Sequence, residues 1–240
     1  AWLINKFSSK KLYITAMSTF LIGTIICFVA QDFGMLLTGR LVQAAGVGVS
    51  MPLLQTIMLS IFPPEKRGAT MGTTGIVIGL APALGPTLSG WIIDSYTWRD
   101  LFGMVIPIVV LVLILASFLM KNVIQLSNPS IDVLSVILST LGFGSLLYGF
   151  SSVGNKGWGS PQVYGFLIVG AIVLCLFTYR QLHLEQPFLE LRVFKSKVFT
   201  VAAILSGVTN MAMIGAEMVL PLYIQNIRGE SAFHSGLMLL

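Results

Sequence analysis

The chain contains seven apolar stretches, each about as long as a helix must be to cross a lipid bilayer. Transmembrane strands need only about 10 residues and show a period-two alternation that these stretches lack. The sequence therefore predicts an all-α fold, a polytopic transmembrane helical bundle with seven full spans and the start of an eighth. The spans cover approximately residues 12–30, 35–61, 69–93, 102–120, 133–151, 162–179 and 198–224, and the eighth begins near Ser235 and runs to Leu240.

The composition excludes the other classes of fold. Charged residues make up 10% of the chain and hydrophobic residues 55%, whereas soluble domains carry about 25% charged residues. A soluble domain of this size buries only about 70% of its chain surface, so it could not hide this much apolar area. Disorder requires low hydrophobicity and high charge. The net charge of +5 is spread over short loops, so the lipid bilayer is the expected partner and nucleic acid is not.

Basic residues are distributed unevenly between the two sets of alternate loops. One set carries ten and the other three, and loops rich in Lys and Arg face the cytoplasm. We therefore predict a multi-pass plasma-membrane protein whose residue 1 end and loops 62–68, 121–132 and 180–197 are cytoplasmic. The ten are Lys6, Lys10, Lys11, Lys66, Arg67, Lys121, Arg180, Arg192, Lys195 and Lys197, and the three are Arg99, Lys156 and Arg228.

No pattern of a catalytic or metal site is present in the sequence. Cys27 and Cys175 lie singly in apolar stretches, so neither a disulfide nor a metal site is expected. Nucleophile-elbow, phosphate-loop and zinc-protease motifs are missing. We expect a protein that is not an enzyme, with no catalytic residue, no metal and no cofactor. Without a nucleotide site, an ion gradient is the natural source of energy.

The third span contains small residues at four-residue intervals together with two prolines. Small residues spaced in this way let helix backbones approach closely, and each proline removes a backbone hydrogen bond and bends the helix. We interpret the span as a hinge between packed helices, with plain helix packing as the alternative. The hinge residues are Gly75, Gly79, Pro82, Gly85, Pro86 and Gly90.

The second span contains Arg40 and, one turn later, Gln43. An arginine inside a span costs about 2.5–3.5 kcal/mol on insertion scales. One alternative is that Arg40 snorkels to the membrane surface, because it lies close to the start of the span. Gln43 on the same face, followed by a glycine-rich stretch, instead favours a functional polar network.

The seventh span contains Glu217, the only carboxylate well inside an apolar stretch. Its face of the helix should line a water-accessible cavity, because polar groups facing lipid would lack partners. Burial favours the protonated form of a carboxyl, so Glu217 could carry a proton or balance a cationic substrate. The alternative is a hydrogen-bonded acid near the outer membrane surface. The residues that share this face are Ser206, Asn210, Met213 and Glu217.

Four motifs in order resemble the fourteen-span drug:proton antiporters of the major facilitator superfamily. Residues 79–90 resemble the antiporter motif of that family's fifth helix, with Ser89-Gly90 in place of paired glycines. The other three motifs are Arg40-Leu41-Val42-Gln43 with Gly46, Gly48 and Pro52, then Trp98-Arg99 with Phe102 and Pro107, and finally Pro221-Leu222-Tyr223-Ile224-Gln225.

The same register places the family's first cytoplasmic loop motif at Ala1 to Lys11. Lys6, Lys10 and Lys11 keep its positive charges, but Asn5 stands where the family has an acid. That acid helps to hold the inward-closed state in the family, and the resemblance does not carry this role over to Asn5.

The resemblance implies three parts of a major facilitator superfamily fold. Residues 1–120 would be the rest of the N-terminal half, 121–197 two extra central spans with a cytoplasmic linker, and 198–240 the start of the C-terminal half. On this register several family helices are absent, so we expect an incomplete piece that does not transport alone.

In function, the resemblance implies a monomeric transporter that exports lipophilic or cationic drugs in exchange for protons, by alternating access. Glu217 would be the coupling acid and Arg40 with Gln43 part of the proton-linked network. Export of a specific metabolite, peptide or siderophore stays open, and so does a sensor or scaffold on the same fold.

Overall fold

The structure is a computed structural model that describes residues 2–124, 132–185 and 187–239. Within these ranges seven helices, α2 to α8, are long and apolar enough to cross a membrane, which confirms the predicted fold class. The helices are α1 (Trp2–Lys6), α2 (Ser9–Phe28), α3 (Phe33–Ile61), α4 (Pro64–Ser95), α5 (Asp100–Leu119), α6 (Val133–Lys156), α7 (Pro161–His183), a 3-10 helix (Leu191–Lys195), α8 (Lys197–Asn226) and α9 (Ala232–Leu237).

Helices α2, α3, α6 and α9 each begin after a residue whose side chain caps the first turn. Asp32 precedes α3 and its side chain accepts a hydrogen bond from the backbone N–H of Met35 at 2.8 Å. Two helix ends differ from the predicted spans by five residues: α6 ends at Lys156 rather than near 151, and α4 starts at Pro64 rather than near 69. Proline suits the first helical turn because its missing N–H would have no helical partner there, so the helix extends through polar residues before it reaches the apolar stretch.

Some predicted features lie outside the described residues. They are Ala1 in the loop motif, residues 125–131 of the predicted loop 121–132, Gln186 in the loop 180–197, and Leu240 at the end of the eighth stretch. The described part of that stretch covers the end of the short helix α9, which begins at Ala232 and ends at Leu237.

The chain divides into two compact units, residues 3–128 with 210–240, and residues 129–209 with residues 1–2. In the larger unit α2 packs against α3 and α5, and α4 packs against α9. Ile4, Leu12 and Leu53 form a buried cluster in this unit. The three-part division implied by the resemblance remains a prediction.

The smaller unit is built on the α6–α7 hairpin. The two helices pack closely because glycines on each helix leave room for leucine side chains of the other. A Cβ at Gly142 would lie 2.6 Å from the Leu174 side chain, and one at Gly170 would lie 2.8 Å from that of Leu146. Many large apolar side chains of both units are exposed, for example Phe118 and Val198, as expected of helix faces that contact lipid.

Candidate functional site

A hydrogen-bonded network centred on Gln43 joins α2 and α3. Gln43 is buried, and its side-chain N–H donates to the hydroxyl of Thr24 at 2.8 Å. Thr24 in turn donates to the backbone carbonyl of Phe20 at 2.8 Å. The Gln43 carbonyl accepts from an Nη of Arg40 at 3.4 Å, and the Cys27 thiol lies 3.9 Å from the same oxygen. Both ends of the buried amide therefore have partners, as burial in a membrane requires.

Close approach of the α2 and α3 backbones makes this network possible. A Cβ at Gly23 would lie 2.5 Å from the backbone nitrogen of Gln43, and one at Gly39 would lie 2.5 Å from the Cys27 sulfur. Such distances leave no room for a side chain, so glycine is required at both positions. The glycines around the Arg40–Gln43 pair therefore set the distance across which the network forms.

Arg40 faces a cavity of about 360 Å³ inside the larger unit. Its guanidinium carbon lies 4.9 Å from the centre of the Phe102 ring, an arrangement that favours a cation over the aromatic face. Among the described residues no carboxylate oxygen lies within 4 Å of Arg40. The side chain is thus a cation held by a ring and an amide rather than by an ion pair.

The predicted hinge in α4 contributes to the wall of the same cavity. Gly85 and Ser89 line it together with Arg40 and Gln43. The α4 helix continues without interruption through Pro82 and Pro86. Farther towards the N-terminus of α4, a Cβ at Gly75 or Gly79 would meet no described atom within 4 Å.

Another part of α4 packs against α9. A Cβ at Gly236 in α9 would lie 2.6 Å from the Pro86 carbonyl oxygen, and one at Gly90 would clash with the backbone of Ala232. The Asp94 carboxylate accepts a hydrogen bond from the Phe233 N–H at 2.9 Å. Near the end of α4 the motif therefore serves two surfaces, the cavity and a close helix contact.

Glu217 lies on α8 and is half-buried. It is not among the residues that line the Arg40 cavity. Ser206 and Asn210, which share its predicted face, are exposed in the described structure. The assignment of this face to a substrate or proton pathway stays a prediction.

The predicted loop motif surrounds the start of α2. Asn5, Lys6 and Lys11 are exposed, and Lys10 is half-buried. The loop is fastened by Asn122, whose side-chain oxygen accepts hydrogen bonds from the backbone N–H of Ser9 at 2.9 Å and from its hydroxyl at 3.0 Å. This contact joins the segment after α5 to the α1–α2 loop.

Sequence reasoning missed Thr24, Asp94 and Asn122. Thr24 could have been found as a polar residue inside the first span, one helical turn before Cys27. Asp94 lies one turn after Gly90, at the polar end of the third span. Asn122 offered no local pattern, because its partner Ser9 lies 113 residues away.

These features define a class of protein, a helical membrane protein with a polar network that opens onto an intramembrane cavity. The sequence model of the Major Facilitator Superfamily matches residues 1–240, and the chain belongs to that superfamily. Its members are transporters rather than enzymes, which confirms the expectation from the sequence. Within the described residues no group of His, Cys, Asp or Glu is arranged to hold a metal ion.

Three relatives show which members of the superfamily this chain resembles. The uncharacterized MFS-type transporter YcnB of Bacillus subtilis is 55% identical over 100% of this chain and 51% of its own length. The lincomycin resistance protein LmrB of Listeria monocytogenes is 44% identical over 94% of this chain and 48% of its own length. Multidrug resistance protein 3 of Bacillus subtilis is 30% identical over 99% of this chain and 46% of its own length. The chain thus spans about half the length of these relatives.

Proposed function

We propose that these residues belong to a proton-coupled antiporter of the fourteen-span type, which exports lipophilic or cationic drugs from a bacterial cell. The observation that carries the proposal is the Arg40–Gln43 network, which shares one cavity with Gly85 and Ser89 of the antiporter motif. The similarity to a lincomycin resistance protein and a multidrug resistance protein supports drugs as the substrate class.

In this proposal each group has a distinct role. Arg40 supplies a fixed positive charge at the cavity wall, and Gln43 holds that charge in place. Because the Arg40 guanidinium has no carboxylate partner in the described structure, it is available to an acid that binds a proton elsewhere in the complete transporter. Glu217 is the proposed coupling acid, and α4 is the proposed hinge of alternating access about a midplane site.

The energy comes from the proton gradient, so the proposal requires no cofactor. The transporter works as a monomer, and the loops rich in Lys and Arg, at the residue 1 end and at 62–68, 121–132 and 180–197, face the cytoplasm. Protons and a small lipophilic substrate are its partners.

The test is export of a fluorescent cationic dye from cells that express a chimera. In the chimera this chain replaces the matching half of YcnB, with which it shares 55% identity. We expect dye export that stops when a proton uncoupler is added. Arg40→Gln and Glu217→Gln should each lower uncoupler-sensitive export at least tenfold, since each removes a proposed charged group. Lys156→Gln, at the C-terminal end of α6, is the control for the loss of one charge.

Two outcomes would contradict the proposal. Export that an uncoupler does not affect would exclude proton coupling. A chimera that inserts correctly but moves no dye would instead favour an exporter of a specific metabolite, peptide or siderophore. If, in addition, no solute drives proton flux, a sensor or scaffold would be favoured. Full export by Glu217→Gln would show that Glu217 is not the coupling acid, but it would not contradict proton-coupled export itself.

A further inference from the structure

Residues 187–197, between α7 and α8, form a connecting segment that is attached firmly to the smaller unit. The backbone N–H of Leu189 donates to the side-chain oxygen of Gln181 at 3.0 Å. Gln181 is fully buried, and its N–H donates to the hydroxyl of Ser135 on α6. The first part of the segment is therefore held by a buried amide that both helices of the hairpin enclose.

Arg192 provides the second attachment. Its guanidinium donates to the backbone carbonyls of Leu182 at 3.1 Å and Leu184 at 2.7 Å, at the C-terminal end of α7. These carbonyls have no partner within the helix, and the end of the helix dipole attracts a cation. Arg192 thus holds the 3-10 helix against the end of α7, with Glu190 at 3.7 Å on its other side.

The segment must lie at a membrane surface, because a membrane-spanning helix adjoins it at each end. The α7 helix ends at His183, and α8 begins at Lys197. Despite its attachment, the segment leaves large apolar side chains uncovered. Leu189 is 49% exposed and Phe194 is 50% exposed, and Phe188 and Val193 are also exposed. At a bilayer surface such side chains can enter the boundary between headgroups and acyl chains.

The charges of the segment are mostly positive. Arg192, Lys195 and Lys197 stand against a single acid, Glu190. Lys195 and Lys197 are exposed, and within the described residues no carboxylate oxygen lies within 4 Å of either. Since Glu190 accompanies Arg192, the two lysines are the charges left for an external partner.

We propose that the connecting segment is a binding surface for anionic phospholipid headgroups. Phe188, Leu189, Val193 and Phe194 enter the acyl boundary, and Lys195 and Lys197 contact lipid phosphates. Anionic lipids are concentrated in the cytoplasmic leaflet, on the side where the basic loops are proposed to lie. Each lysine near such a surface contributes roughly five-fold in affinity. The surface does not depend on drug export, and either proposal can fail alone.

The test places a nitroxide spin label at Val193→Cys in the whole chain, with exposed Cys175 changed to Ser and buried Cys27 retained. The chain is reconstituted in nanodiscs of phosphatidylcholine, with and without phosphatidylglycerol. We expect the label to be more accessible to oxygen than to a water-soluble nickel reagent once the anionic lipid is present. At a fixed fraction of phosphatidylglycerol, Lys195→Gln and Lys197→Gln should each lower the ratio of inserted to exposed label roughly five-fold.

Lys156→Gln is the matched control, because it removes one exposed lysine from the other end of the same hairpin. It should leave insertion unchanged, and circular dichroism should show equal helix content in all variants. A label that stays accessible to nickel in both lipids would overturn the proposal. So would equal insertion in both lipids with no effect of either lysine, or a label shielded only when a cytoplasmic protein is added.

Discussion

At the scale of single residues, the buried amide of Gln43 shows how a membrane protein places a charge in its interior. An arginine inside a span is costly unless its donors are satisfied. Here Gln43 accepts one hydrogen bond from Arg40 while it donates another to Thr24, so one amide contacts the cation and is itself held in position. The Phe102 ring, which lines the same cavity, lies against the guanidinium. Within the described part of the chain, Arg40 is thereby oriented without an ion pair that would neutralise it.

Asp132 is a residue at which stability should depend on pH. It precedes α6, caps that helix through Ser135, and forms an ion pair with Arg180 of α7 at 3.0 Å. The hydrogen bonds from Arg180 and then Ser135 lower the pKa of the carboxyl from 3.8 to about 2. Because its pKa is lower in the folded state, Asp132 stabilises the hairpin at neutral pH. That contribution is lost as the pH falls from about 4 to about 2.

We therefore expect Asp132→Asn to lower the free energy of unfolding at neutral pH by about 1 kcal/mol, since Arg180 is partly exposed and solvent weakens the pair. In the wild type the free energy of unfolding should fall as the pH drops below about 4, and in the variant this fall should be smaller. Denaturant unfolding in detergent, followed by circular dichroism, measures both. Asp32→Asn at the start of α3 is the control, because Asn caps a helix as well as Asp does. An equal loss in both variants would contradict the role of the ion pair.

At the scale of helices, glycine decides which pairs of spans approach closely. A Cβ at Gly46 on α3 would lie 2.5 Å from the carbonyl oxygen of Ala16 on α2, whereas one at Gly48 would meet no described atom within 4 Å. The two glycines lie two residues apart on the same helix. Substitutions at the two positions can therefore distinguish the effect of helix packing, which acts at Gly46, from that of helix propensity, which acts at both.

Alanine at these two positions should act in opposite directions. We expect Gly46→Ala to destabilise the chain by about 1–3 kcal/mol, because the added methyl group forces α2 and α3 apart. Gly48→Ala should stabilise it by up to about 1 kcal/mol through helix propensity alone. Unfolding free energies of both variants, measured under one set of conditions, provide the comparison. Similar stability of the two variants would show that the close contact of α2 with α3 does not limit stability.

At the scale of the whole molecule, the sequence predicted the spans better than it predicted what lies between them. Long apolar stretches determine helices because each must satisfy its backbone within the membrane, so all seven spans were found. Arg40 and Gln43 were singled out because polar residues are rare in spans, and the structure brings them into contact, while their role in transport remains a prediction. Asn122 was not found, since its contact with Ser9 depends on tertiary structure. The α4–α9 contact was missed for the same reason, although its glycines were recognised as a small-residue pattern.

The orientation of the larger unit can be tested at the two ends of α4. This helix has 32 residues, and at 1.5 Å per residue it spans about 48 Å, more than the roughly 30 Å of a hydrocarbon core. Its ends must therefore lie on opposite sides of the membrane. Lys66 lies in the first turn of α4, within the basic stretch 62–68, and Tyr96 follows the other end of the helix; both are exposed.

Single cysteines at these positions, in a chain with Cys175→Ser, should react differently with a membrane-impermeant maleimide. Because basic loops stay in the cytoplasm, Tyr96→Cys should be labelled in intact cells, and Lys66→Cys only after the membrane is permeabilised. Buried Cys27 alone, in the same background, gives the unreactive baseline. Labelling of Lys66→Cys in intact cells would reverse the orientation. This measurement therefore bears on the proposed direction of export.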